Sequence, residues 1–168
     1  MVKACIERIV DLPVERAWEI LSDFTHINRI HPQVATVDQV TPDQDRGLGA
    51  IRQCNMYDGH MAVEKITEWD QSNRFYKIEI IDSDFPVKAA LAILKAEDAG
   101  NGQTKLTSTM EVKAKYGIFG KLMEHFILKP QLGAAIDSVF AGIEEFDKTG
   151  KEIEKGFKPK TRSLITAC

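Results

Sequence analysis

Alternating apolar and polar positions run through most of the first two thirds of the chain and indicate β-strands. Short runs rich in Val, Ile, Thr and aromatic residues are separated by turn signals such as Asp58-Gly59 and Asp70 to Asn73, a spacing typical of hairpins. The pattern predicts seven strands, at about residues 2–10, 34–41, 49–57, 60–69, 74–81, 86–97 and 103–114. Consecutive strands of this spacing favour an antiparallel meander.

A repeat of three to four residues replaces the alternation in two parts of the chain and predicts helices. Pro13 opens a short amphipathic helix over residues 14–22, and a helical turn over residues 25–30 ends before Pro32. A later apolar stripe predicts one long helix, kinked at Pro130 so that residues 120–129 can tilt as a gate. Its members are Leu122, Phe126, Leu132, Ile136, Val139, Phe140, Ile143 and Phe146.

This order of elements predicts an α+β helix-grip fold. A curved seven-stranded antiparallel sheet would surround the long C-terminal helix, with two short helices after the first strand, because that arrangement buries both the stripe and the inner strand faces. We expect one domain over residues 1–153 and a flexible C-terminal tail over residues 154–168.

Composition and charge narrow the function classes. The 168 residues are 43% hydrophobic and carry a formal net charge of −3, which argues against a general nucleic-acid binder. The first residues lack a signal peptide's apolar core, and no run approaches the ~20 apolar residues of a membrane span. The cysteines, Cys5, Cys54 and Cys168, show neither a disulfide framework nor zinc-site spacing. We therefore expect a cytoplasmic protein.

No motif indicates a cofactor. The sequence contains no Walker loop, GxGxxG or GxSxG signature, so phosphate chemistry, dinucleotide use and nucleophilic hydrolysis have no support. His26 and His31 flank Arg29 in the second helical turn without a further ligand at metal-site spacing. We expect neither a cofactor nor a metal.

Small residues on one face of the strand at 86–97 predict either a cavity or a closely packed helix. Lys88, Ala90 and Ala92 share that face, and alanine is a poor strand former. Neighbouring segments supply apolar faces with a few hydroxyl groups, a composition typical of small-molecule pockets. The further candidate wall residues are Tyr76, Ile78 and Ile80, Ser108 and Met110, and Ile136 and Phe140 of the long helix.

Glu64 is the strongest single candidate for a functional residue. The alternation in its strand leaves both faces mixed, so the pattern alone does not orient it. If Glu64 points inward it needs a partner, because an isolated buried carboxylate is very costly, and Arg52 on the preceding strand is the natural one. The alternative is an exposed cross-strand pair worth less than ~1 kcal/mol.

The order of several short motifs resembles the polyketide cyclase/dehydrase and lipid-transport family, within the START/Bet v 1-like (SRPBCC) superfamily. The resemblance covers about residues 2–150 and implies a hydrophobic ligand held between sheet and helix. It rests on Leu12 to Trp18, Ser22-Asp23-Phe24, His31-Pro32, Gly49 to Arg52, Gly59, Glu64-Lys65-Ile66, Trp69-Asp70, Phe85-Pro86-Val87 and Thr104 to Met110.

The strand pattern is also similar to that of the plant abscisic-acid receptors, a resemblance that implies a place for Glu64 inside the ligand cavity. The receptors' latch and gate motifs are replaced here by Phe85-Pro86-Val87 and Tyr57-Asp58-Gly59-His60. Gln33 stands near the position of the lysine that pairs with the hormone. These differences argue against hormone binding.

Three functions remain open. The first is a carrier or sensor of a hydrophobic small molecule such as a lipid, polyketide or isoprenoid, as a monomer or homodimer without a nucleic-acid partner. The second is a polyketide cyclase/dehydratase-like enzyme in which Glu64, Arg52, Tyr76 and His60 steer a bound substrate by positioning and one general acid or base. The third is a protein-interaction module with a vestigial pocket.

Overall fold

A computed structural model describes residues 2–115, 129–160 and 164–166. Within them the chain forms a curved antiparallel sheet and a long C-terminal helix, which confirms the α+β helix-grip fold. The strands are β1 (Val2–Val10), β2 (Val34–Gln39), β3 (Ile51–Met56), β4 (Met61–Asp70), β5 (Phe75–Ser83), β6 (Val87–Gly100), β7 (Gln103–Ala114) and β8 (Leu164–Thr166). The helices are α1 (Val14–Leu21), a 3-10 helix (Phe24–Arg29) and α2 (Lys129–Thr149).

The sheet has one strand more than the pattern predicts. Its order is β2-β3-β4-β5-β6-β7-β1-β8, so consecutive hairpins build the meander and β1 closes it beside β7. β8 pairs antiparallel with β1 through Cys5↔Thr166, Ile6↔Ile165 and Glu7↔Leu164. The expectation of a wholly flexible tail is therefore wrong at residues 164–166, because this short segment completes its hydrogen bonds on the open edge of β1.

Helix α1 follows the first strand because Pro13 fixes the backbone at its start and apolar residues recur on one side. Ala17, Trp18, Ile20 and Leu21 are all buried. The Trp18 ring lies 5.3 Å from Trp69 and 5.9 Å from Tyr76 between ring centroids. This aromatic cluster packs α1 onto β4 and β5 and buries Trp18, which is 4% exposed.

Helix α2 packs against the inner face of the sheet. Its residues Val139, Phe140 and Ile143 are buried in the same core as Ile6 and Leu106 of the sheet. The predicted gate at residues 120–129 lies outside the described residues, apart from Lys129. Pro130 lies near the beginning of the described part of α2, so the predicted kink there also involves residues outside the described ranges.

Gly142 brings the middle of α2 against the backbone that follows the 3-10 helix. A Cβ atom at this position would overlap the carbonyl oxygen of Ile30. Only glycine therefore allows this helix to approach so closely, and the contact fixes α2 relative to the 3-10 helix.

The cysteines differ from expectation in one respect. Cys54 is a buried free thiol, but Cys5 on β1 is disulfide-bonded and its partner lies outside the described residues. The expectation that the cysteines form no disulfide is therefore wrong at Cys5, because spacing along the chain says nothing about which residues a sheet brings together. No helix in the described part of the chain is long and apolar enough to cross a membrane.

Candidate functional site

Arg52 and Glu64 form an ion pair on the concave face of the sheet. They lie directly opposite each other on β3 and β4, which are joined by a tight turn where Gly59 adopts a φ of +91°. Arg52 Nε donates to Glu64 Oε2 at 2.7 Å, and Nη2 lies 2.5 Å from the same oxygen. The predicted partnership is confirmed, and the pair is not the exposed one of the alternative interpretation.

The guanidinium of Arg52 contacts three groups, the Glu64 carboxylate, the Phe24 carbonyl and the Phe24 ring. Besides Glu64, its Nη1 donates to the carbonyl oxygen of Phe24 at 2.5 Å, and its Cζ lies 4.0 Å from the centroid of the Phe24 ring. The Arg52 side chain is only 5% exposed, against 15% for Glu64. The positive member of the pair is therefore enclosed, and the carboxylate is the more accessible partner.

Glu64 uses only one of its two carboxylate oxygens within the described residues. Arg52 donates to Oε2, and so does the thiol of Cys54 at 3.8 Å. No hydrogen bond to Oε1 occurs in the described part of the chain. Because a carboxylate can accept several hydrogen bonds, Oε1 retains acceptor capacity at the edge of the buried pair.

The groups around the pair are neutral near pH 7. Burial raises the pKa of the Cys54 thiol to about 12 and also raises the pKa of Tyr76. Burial, assisted by the charge of Arg52 and opposed by that of Glu64, lowers the pKa of His31 to about 4. Burial alone would lower the pKa of Arg52, but Glu64 raises it above its ordinary value. One positive and one negative charge therefore remain.

The apolar wall beside Glu64 changes from closed to partly accessible along the strands. The inner positions at one end are buried, namely Tyr76, Ala96, Leu106 and Phe140. At the other end Ile80, Ala90, Met110 and Ile136 are only half-buried although they occupy inner positions, whereas Ala62 and Val112 at the same end are buried. Ile80 lies directly opposite Glu64 across β4 and β5. The carboxylate thus borders the accessible end of an apolar surface.

Two turns are joined at this end of the sheet. Nδ1 of His60, after β3, lies 3.2 Å from Oδ1 of Asp84, which follows β5. The same oxygen accepts the backbone N–H of Met61 at 2.9 Å, and the rings of His60 and Phe85 lie 4.9 Å apart. The two turns therefore form one connected rim, and His60 contacts that rim rather than the Arg52–Glu64 pair.

Most predicted wall residues take inner positions on β5, β6, β7 and α2, but Ile78, Ala92, Ser108 and Phe140 are buried and enclosed. Two further predictions, Tyr76 and Lys88, need correction. Tyr76 is 1% exposed and its hydroxyl donates to the carbonyl of Leu21 at 3.0 Å, so it belongs to the packed core. Lys88 is exposed, because the register of β6 shifts between Val87 and Ala89 and interrupts the alternation. The expected place of Lys88 beside Ala90 is therefore wrong.

The predictions missed a second ion pair. Arg8 on β1 donates to Asp137 of α2 at 2.7 Å, with side-chain exposures of 13% and 6%. The sequence contained a signal for this pair, because the charged residue Arg8 interrupts the apolar inner positions of β1. Ser108 faces the same side and is fully buried, and its Oγ has no hydrogen-bond partner in the described part of the chain. The concave face is therefore more polar than expected.

A separate surface pocket of about 210 Å³ lies between α1, the 3-10 helix and α2. Its two arginines already pair with carboxylates: Arg16 with Glu19 and Asp147, and Arg29 with Asp23. The pocket therefore offers no unneutralised charge to a ligand. The pocket is lined by Arg16, Glu19, Ile20, Asp23, His26, Arg29, Ile30 and Phe146.

In residues 2–115 and 129–160, no three His, Cys, Asp or Glu side chains come together as a metal site.

Solved structures with the same fold have low sequence identity to this chain. The Thermus thermophilus protein TTHA0849 has a TM-score of 0.71 at 17% identity, covering 85% of this chain and 94% of its own. A protein from Thermobifida fusca has a TM-score of 0.67 at 20% identity, covering 88% and 96%. The di-domain ARO/CYC protein BexL of the BE-7585A biosynthetic pathway has a TM-score of 0.70 at 16% identity, covering 88% of this chain and 47% of BexL.

The family is shown by a match along the sequence rather than by these structures. None of the curated proteins matches the chain. The family model described as polyketide cyclase/dehydrase and lipid transport matches residues 1–145, which include β1 to β7, the Arg52–Glu64 pair and most of α2. The chain therefore belongs to the polyketide cyclase/dehydrase and lipid transport family.

Proposed function

We propose that the protein binds one hydrophobic small molecule between the concave face of the sheet and α2, as a carrier or sensor. The observation that carries the proposal is the partly accessible apolar surface of Ile80, Ala90, Met110 and Ile136 beside Glu64. A surface that lies inside the fold and still reaches solvent leaves apolar area for a ligand to cover. The family supports the same ligand class.

Covering this surface would provide the driving force for binding. Each square ångström of apolar surface removed from water contributes ~25 cal/mol, from which the cost of immobilising the ligand is subtracted. The small side chain of Ala90, half-buried at an inner position, leaves room for a ligand where Val or Phe would fill the space. Glu64 supplies the polar group that orients the ligand.

Two adjacent alanines provide a matched test. Ala90 faces inward and is half-buried, whereas Ala89 is exposed on the opposite face of β6. In the Ala90→Phe variant a ring would occupy the ligand space, so we expect uptake of the fluorescent probe Nile red to fall at least tenfold. The Ala89→Phe variant should bind as the unmodified protein does. Equal binding by the two variants would contradict the proposed location.

Native mass spectrometry of gently purified protein tests the carrier function directly. A co-purifying apolar molecule should be present in the unmodified protein and reduced in the Ala90→Phe variant. A protein that carries no molecule and binds no Nile red would contradict the proposed function altogether.

A cyclase/dehydratase-like enzyme in the same space is the second candidate. It is favoured by the available Oε1 of Glu64 beside the guanidinium of Arg52, because such a pair can orient a substrate and accept a proton. Tyr76 is unsuited to acid–base work there, since its hydroxyl is committed to Leu21. Recovery of the co-purified molecule unchanged after incubation favours the carrier. A new product that Glu64→Gln fails to form favours the enzyme.

A further inference from the structure

The polar end of the binding space presents an acceptor and no net charge. We infer that the ligand is a neutral amphiphile whose polar group donates a hydrogen bond to Glu64 Oε1, as an alcohol or phenol hydroxyl does, and that ligands ending in a carboxylate are excluded. This inference rests on the proposed function and specifies the ligand class of the same site.

Of the two members of the ion pair, Glu64 is the one that a ligand meets first. Arg52 is the more enclosed of the two, with Phe24 supplying both a ring against the guanidinium and a carbonyl acceptor. Glu64 is the more exposed, and Ile80 of the accessible wall lies opposite it. An incoming polar group therefore approaches the carboxylate before it can reach the guanidinium.

The Arg52–Glu64 pair and the groups around it carry no net charge. The positive charge of Arg52 is neutralised by Glu64 at 2.5 to 2.7 Å. His31, Cys54 and Tyr76, which interact electrostatically with the pair, are neutral near pH 7. A ligand carboxylate would bring an unmatched negative charge next to that of Glu64, at a position that the ligand's own apolar part would shield from water. Burial of an unmatched charge is very costly.

At Glu64 the site offers a ligand a hydrogen-bond acceptor rather than a donor. The Tyr76 hydroxyl donates to Leu21 and the Cys54 thiol donates to Glu64 Oε2, so both donors are already used. Glu64 Oε1 is an acceptor with no partner among the described residues. A hydroxyl can satisfy it, whereas an ether or ester oxygen cannot, because those oxygens only accept.

Competition between three matched compounds tests the inference. Nile red bound to the full chain at pH 8 is displaced with 1-decanol, decyl methyl ether or sodium decanoate, each below its solubility or micelle limit. We expect decanol to displace Nile red at a concentration at least tenfold below that of the ether, and decanoate to be weaker than both. The apolar tails match, so the ranking reports the polar group.

Variants of the pair assign the preference to Glu64. The Glu64→Gln variant removes the negative charge while keeping the shape, so the ratio of decanoate to decanol affinity should rise at least tenfold. Because that variant leaves Arg52 buried without its counter-charge, an Arg52→Leu/Glu64→Leu double variant is measured as well. It should bind decanol and the ether equally. Glu68→Gln, an exposed substitution on the same strand, should leave the ranking unchanged.

The outcomes separate this inference from the function on which it rests. Absence of Nile red binding to the unmodified protein overturns both. Nile red binding with equal displacement by decanol and the ether, or with decanoate as the strongest competitor, overturns the ligand class alone. A decanol preference that persists in both variants of the pair also overturns it, because the hydroxyl would then bind elsewhere.

Discussion

The contribution of Arg52 and Glu64 to the free energy of unfolding can be measured by replacing each residue with leucine, singly and together. Glu64→Leu leaves a guanidinium buried without its counter-charge, a change that typically costs ~3 to 5 kcal/mol. Arg52→Leu removes the guanidinium donor to the Phe24 carbonyl, while the more exposed Glu64 can still recruit water. We therefore expect a smaller loss of about 2 to 4 kcal/mol.

Comparison of the double variant with the two single variants gives the coupling energy between Arg52 and Glu64. An apolar pair of similar volume is often as stable as the ion pair it replaces, and loss of the charged Arg52 hydrogen bond to the Phe24 carbonyl adds ~1 to 3 kcal/mol. The double variant should then lose no more than about 3 kcal/mol, whereas the two single losses sum to roughly 5 to 9 kcal/mol. The expected coupling energy is therefore at least ~2 kcal/mol.

Urea unfolding followed by tryptophan fluorescence measures these free energies, because Trp18 and Trp69 lie within the aromatic cluster of the core. The slope of unfolding free energy against urea concentration should stay constant across the four proteins, so that midpoints compare directly. Losses that add within ~0.5 kcal/mol would show that the two residues act independently, and the electrostatic account of the site would be wrong.

Three further predictions concern other parts of the molecule. The pKa of His31 is lowered from 6.5 to about 4, so its contribution to stability is complete above pH 6.5 and falls by roughly 1 to 3 kcal/mol as the pH drops towards 4. Unfolding measured across this range should show a shallower loss in His31→Gln, and a loss equal to that of the unmodified protein would contradict the assignment to His31. Gly142→Ala should cost about 1 to 3 kcal/mol, because the new methyl group meets the backbone of the 3-10 helix, and an unfolding midpoint like that of the surface change Glu145→Ala would refute the close contact. Trp18→Ala should cost on the order of 3 to 5 kcal/mol by thermal or urea unfolding, and a loss below ~1 kcal/mol would contradict its place in the core.

The elements were predictable because their periodicities differ. Alternation in β5 to β7 and a three- to four-residue repeat around Phe140 report which face each element buries. The short strand at residues 164–166 was missed, because three residues carry too little pattern to indicate a strand. Lys88 was misplaced for a related reason, since a register shift is decided by pairing with β7 and leaves no mark in the alternation of β6.

The candidate site was predictable to a lesser degree. Arg52 and Glu64 were paired correctly because they lie on consecutive strands joined by a short turn, which fixes their register. The direction in which Glu64 points required the fold, because both faces of its strand are mixed. The pair between Arg8 and Asp137 joins residues 129 positions apart, and such a contact follows only once α2 has been placed on β1.

The two outer strands of the sheet also bear on how the protein behaves at high concentration. β1 would be an open edge, but three residues near the end of the chain, Leu164 to Thr166, pair with it and occupy its hydrogen-bonding groups. β2, at the opposite edge, is six residues long, carries Asp38, and shifts its register between Val34 and Thr36. Covered, short or irregular edges hinder strand-to-strand joining between molecules. Removal of the segment after residue 160 would therefore expose the longer edge and promote self-association into sheet-like aggregates.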